Sequence, residues 1–133
     1  MNSIDKNLIR SYLEELQVSL STDEDGDMII VQSADTDFPH DVIIFVLINN
    51  NRLSFVAGAP GYVVSSDPYQ LANRHNCRHI LPMAVVRDGN IRMESSFLLD
   101  EEVSKEYIVN NCIRMSLASI WRSFCILEKE DEE

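Results

Sequence analysis

The longest uninterrupted apolar run in the chain is Val42, Ile43, Ile44, Phe45, Val46, Leu47 and Ile48. Its β-branched and aromatic content predicts a strand buried on both faces, and it is far shorter than the ~20 residues a membrane helix needs. Upstream, Ile4, Leu8, Ile9, Tyr12, Leu13 and Leu16 recur at helical spacing, predicting an amphipathic helix over residues 4–17 with Ser3 available as its cap. A polar turn, Asp23-Glu24-Asp25-Gly26-Asp27, then separates that helix from a short strand over residues 28–32.

Downstream, Asn49-Asn50-Asn51 closes a hairpin, because asparagine tolerates the left-handed backbone that such loops use. A three-residue loop pairs Leu47 with Leu53, Phe45 with Phe55 and Ile43 with Ala57, placing all six on one face. Ser66-Asp67-Pro68 opens a helix, with a capping side chain followed by proline in the first turn, and Asn76 is available to close it. Asp88-Gly89 joins strands 80–87 and 90–98, pairing Val86 with Ile91, Ala84 with Met93 and Ile80 with Phe97; Pro82 marks the outer strand as a sheet edge. The last helix covers residues 104–127. Its first half has one apolar stripe (Ile108, Cys112, Met115), but Leu117, Ala118, Ile120, Trp121, Phe124, Cys125, Ile126 and Leu127 leave its second half apolar nearly all round. One sheet cannot cover every side of a helix, so either the first helix wraps that end or a second subunit meets it. For Trp121 and Phe124, interface and core are both open readings, whereas Leu117 alone reads as core.

Composition narrows the partners. The chain has 133 residues, enough for one domain, and residues 1–127 are expected to form it. Residues 128–133, with five acids and one lysine, are expected to be a flexible acidic tail. The net charge of −11 argues against nucleic acid and anionic membranes, which are bound by lysine and arginine. The start of the chain lacks the pattern of a signal peptide, and three cysteines imply no disulfide framework. The expected address is the cytoplasm.

No catalytic constellation is visible. A twelve-residue calcium frame beginning at Ser21 places Gly26 correctly but puts Ser21 and Gln32 where carboxylates matter most, so the acidic segment reads as a turn. Asp23, Asp25, Asp27, Asp35 and Asp37 could serve acid–base or metal chemistry, but loops this polar read first as solvated turns. His75, Cys77 and His79 alternate across a helix end, favouring a structural site with a buried cysteine over a metal centre. Cys112 and Cys125 lie ~220° apart around a helix and cannot pair; no histidine on that helix could activate Cys112.

Two stretches carry a resemblance. Residues 91–100 (Ile-Arg-Met-Glu-Ser-Ser-Phe-Leu-Leu-Asp), followed by Val103-Ser104-Lys105-Glu106-Tyr107-Ile108, and the helix end Leu71-Ala72-Asn73-Arg74-His75-Asn76, resemble the bacterial YbjN family over residues 4–127. That family's fold is similar to that of type III secretion chaperones. The resemblance implies an α+β domain in which a helix, three strands, a helix, two strands and a long helix form an antiparallel sheet covered by helices. It also implies frequent homodimers, regulatory or chaperone-like adaptor roles, and no cofactor.

The expectation is a non-enzymatic, protein-binding homodimer without cofactor or metal, holding its partner or client protein through Leu117, Trp121 and Phe124. The alternatives are a small-ligand or metal-dependent protein using the acidic loops, and a structural subunit of a larger complex.

Overall fold

Asn50 and Asn51 both adopt left-handed backbone, with φ of 51° and 65°, so the central hairpin turns in two residues rather than three. The computed structural model describes residues 4–100 and 102–132. In it, Asn49 pairs with Arg52, and every pair beyond follows: Leu47 with Ser54, Phe45 with Val56, Ile43 with Gly58. The expected register was one residue off, and in a structure of period two a single step exchanges faces. Val42, Ile44 and Val46 therefore lie with Leu53, Phe55 and Ala57 in the core, each with no exposed surface. Ile43, Phe45 and Leu47 go to the opposite face with Gly58, Val56 and Ser54, where all six are half-buried. The central strand is thus buried fully on one face, not two.

The elements are α1 (Lys6–Glu15), β1 (Leu20–Thr22), β2 (Met28–Gln32), β3 (Val42–Asn49), β4 (Arg52–Gly58), α2 (Pro68–Arg78), β5 (Met83–Arg87) and β6 (Asn90–Leu98). A final helix combines α3 (Lys105–Tyr107), a π-helical stretch (Ile108–Arg114) and α4 (Met115–Glu132). The strands form one antiparallel six-stranded sheet in the order β1-β2-β3-β4-β6-β5. The chain is α+β as expected, with β1 as an added edge strand. β1 carries almost no alternation, and its pairing of Leu20 with Ile30 follows from the turn at Gly26, whose φ is +83°.

All helices share one side. The core joins Ile9 and Leu13 of α1, Leu71 and Ala72 of α2, and Ile120, Phe124 and Leu127 of α4 to strand positions of a single alternation set. The other set, Ile29, Val31, Ile43, Phe45, Leu47, Val56 and Val85, contributes nothing to that core. A helical layer therefore covers one face of the sheet and leaves the second face open.

Local chemistry sets the ends of the helices. Asp5 Oδ1 accepts from Leu8 N–H at 2.9 Å and caps α1, while Ser3 lies outside the described residues. Asp67 Oδ1 caps α2 by accepting from Tyr69 N–H at 2.9 Å, with Pro68 in the first turn. α2 continues to Arg78, past the expected stop at Asn76. Asn76 instead clamps β5: its Oδ1 accepts from Ala84 N–H at 2.8 Å and its Nδ2 donates to Ala84 C=O at 2.9 Å. Val86–Ile91 and Ala84–Met93 pair as expected, and β5 is an edge strand. Ile80, expected opposite Phe97, precedes the strand and is 92% exposed; Phe97 pairs with Leu53.

The acidic segment expected to be a tail is helical to Glu132, and Glu133 lies outside the described residues. Asp131 anchors this end. Its Oδ2 accepts from Tyr62 O–H at 2.7 Å and Ser65 N–H at 2.9 Å, and its Oδ1 from Ser66 N–H at 2.7 Å and Ser66 O–H at 2.5 Å. Burial alone would raise the Asp131 pKa, but these four donors hold the carboxyl well below the usual range. Burial and the same carboxylate raise the Tyr62 pKa far above its ordinary value.

Part of the excess apolar surface of α4 is covered from within the chain. The loop between β2 and β3 inserts Phe38, fully buried, against Trp121 at 5.7 Å and Phe124 at 5.6 Å between ring centroids. Tyr62, following β4, closes the cluster against Phe38 at 5.7 Å.

Candidate functional site

Of the three residues expected to meet a partner, the structure leaves two at the surface. Phe124 is fully buried beneath Phe38 and presents no surface to a second chain. Leu117 and Trp121 are half-buried and line an open depression with Leu16, Val18, Gln32, Arg114, Ala118 and Arg122. Gln32 braces its floor by donating from Nε2 to Leu117 C=O at 2.8 Å, while its buried Oε1 has no partner among the described residues. Arg114 and Arg122 are exposed, and no carboxylate lies within ion-pairing distance of either among the described residues. The result is an apolar hollow with a cationic rim on a strongly anionic molecule.

A second concavity lies on the open face of the sheet, with a volume of about 380 Å³. Ile43, Phe45, Val56 and Gly58 contribute from β3 and β4, Pro60 and Tyr62 from the loop after β4, and Asn90 and Arg92 from β6. Sequence reading missed this hollow because its three-residue register set Ile43 opposite Ala57 rather than Gly58. The signal available was a glycine opposite an apolar strand position, but it has that meaning only in the two-residue register.

The candidate metal ligands separate. Asp23, Asp25 and Asp27 place carboxylate oxygens within 4.8 Å of one another and are the one such group of three among the described residues. Asp23 Oδ1 is already engaged by the N–H groups of Asp25 and Asp27, each at 2.9 Å, and Lys6 Nζ lies 3.3 Å from Asp27. These contacts are those of a polar turn. Asp35 likewise accepts from its own loop, through Asp37 N–H at 2.8 Å and Phe38 N–H at 3.1 Å.

His75 and His79 stack at 4.7 Å, but Cys77 between them is exposed, not buried as expected. His75 Nε2 donates to Pro82 C=O at 2.7 Å; a carbonyl only accepts, which fixes the tautomer. Burial lowers the His75 pKa despite that bond. Burial pushes the Cys112 thiol up to about 11, keeping it protonated.

The fold and these two hollows define a small α+β domain with concave apolar surfaces on both sides of one sheet. Residues 5–113 match the YbjN family model, described as "Putative bacterial sensory transduction regulator", and the chain belongs to that family. The match covers the sheet and α2 and stops just before α4, so Leu117 and Trp121 lie beyond it. Comparison with curated protein sequences finds no match. Among the described residues, no helix is long and apolar enough to cross a membrane.

Proposed function

We propose that this protein is a non-enzymatic regulatory adaptor of the bacterial cytoplasm that acts by binding other proteins, and that it does so as a homodimer. The observation that carries this reading is the hollow around Trp121: a half-exposed indole and Leu117 flanked by two exposed arginines that make no ion pair among the described residues. Aromatic anchors inside a polar rim are where binding energy concentrates at protein interfaces. The rim has the opposite charge to the rest of the molecule, so the acidic surface of a second copy complements it. The family's description as a regulator of sensory transduction supports a role exercised through partners rather than through chemistry.

Light scattering tests the dimer. The wild-type protein is expected at twice the 15.2 kDa chain mass, and the double variant Leu117→Asp with Trp121→Ala at the single-chain mass with unchanged circular dichroism. A wild-type monomer at micromolar concentration would sink the dimer, and an unaltered dimer in the double variant would move the interface elsewhere.

A further inference from the structure

The hollow on the open sheet face is built by three neighbouring strands and a pinned loop. Phe45 and Val56 pair directly across β3 and β4, and Ile43 faces Gly58 one pleat further along. Because Gly58 has no side chain, the floor is open there: a Cβ built at that position meets nothing within 4 Å. Pro60 and Tyr62 form a wall, and the Tyr62 hydroxyl is held by Asp131 at 2.7 Å, so this wall is fixed from behind by the helical layer.

Charge selects the occupant. The chain has 22 acidic residues, yet among the described residues none lines the hollow; the one cation among its lining residues is Arg92, with Asn90 beside it. Glu94 faces the same side but does not line the cavity, and no carboxylate lies within ion-pairing distance of Arg92 among the described residues. A guanidinium at the mouth of an apolar cavity offers a forked pair of donors to a carboxylate, while the floor takes a hydrocarbon body. At about 380 Å³ the space lies at the small end of the range for ligand pockets.

We infer that this hollow binds a small free monocarboxylic acid with an aromatic or branched apolar body. The carboxylate pairs with Arg92 and Asn90, and the body lies over Phe45, Val56 and the gap at Gly58. The site is on the sheet face away from Trp121, so it stands or falls independently of the dimer.

The test uses the full chain labelled with ¹⁵N and titrated with 4-phenylbutyrate, 4-methylpentanoate and the neutral control 4-phenyl-1-butanol. At least one acid is expected to shift the amides of Ile43, Val56, Gly58 and Arg92 saturably. Arg92→Gln, a change to an exposed side chain, is expected to weaken the acids by about tenfold and the alcohol little. Gly58→Leu places its Cβ where nothing lies within 4 Å, fills the floor, and is expected to abolish binding of all three. Absence of saturable shifts at these amides up to millimolar acid overturns the proposal. So does equal weakening of acid and alcohol by Arg92→Gln, or binding that survives in folded Gly58→Leu.

Discussion

Asp131 shows how much one carboxylate contributes when every lone-pair direction is used. It is 7% exposed, lies near the end of α4, and ties the two serines before α2 and the Tyr62 hydroxyl to one point. Asp131→Asn replaces one acceptor oxygen by a donor that faces other donors, so the variant is expected to lose about 2–4 kcal/mol, read by urea denaturation at neutral pH. The pH dependence follows from the direction of each shift. The folded Asp131 binds its proton less readily than the unfolded chain does. Its stabilisation is therefore complete above the ordinary carboxylate value of 3.8 and is lost as pH falls toward the depressed folded value. His75 acts in the same direction at higher pH. Its folded pKa is below 6.5, so the unfolded chain takes up a proton that the folded state refuses, and stability declines as pH drops below 6.5. Stability measured from pH 8 downward is expected to decline first below pH 6.5 and again from about pH 4 to the lowest pH reached, the second decline absent in Asp131→Asn.

At the scale of elements, the β3–β4 hairpin decides which side chains become core. Asn50 and Asn51 both sit at positive φ, and glycine reaches that region at less cost at the second position. Asn51→Gly is expected to stabilise the protein by roughly 0.5 kcal/mol without altering the register, checked by thermal unfolding and the cross-strand contacts of Phe45 and Val56. The hydrophobic pattern made both strands and their pairing legible. It could not choose between loop lengths, because residues 42–48 are apolar at every position and either face satisfies the pattern. The Asp88–Gly89 hairpin was readable in register because Arg92 and Glu94 alternate with Ile91 and Met93 there, so only one face can be core.

At the scale of the molecule, charge composition and structure pull apart at the last helix. Residues 128–133 look like a solvated acidic tail, yet Glu130 pairs with Arg74 at 3.2 Å and Arg78 at 2.5 Å on α2, beside the buried Asp131. A chain ending at Leu127 is accordingly expected to be destabilised by more than about 2 kcal/mol, seen as a lower urea midpoint, whereas removal of a free tail would change nothing. Trp121 teaches the same lesson about the candidate site. Its exposure depends on how far Phe38 and Tyr62 reach over α4, and these come from loops 83 and 59 residues earlier in the chain.

The sequence by itself determined the α+β class and the order of every element but β1, because periodicity, capping residues and turn dipeptides are local signals that no distant contact needs to complete, and the resemblance carried by residues 71–76 and 91–108 pointed to the family. It also singled out Leu117, Trp121 and Phe124 as an apolar excess on one helix. Tertiary structure alone decided that Phe124 is core while Leu117 and Trp121 edge a hollow, that an acidic helix end is fastened rather than free, and that one apolar sheet face remains open. Those outcomes depend on loop lengths and on which distant groups fill each lone pair and each gap, quantities that residue order constrains only through the folded chain.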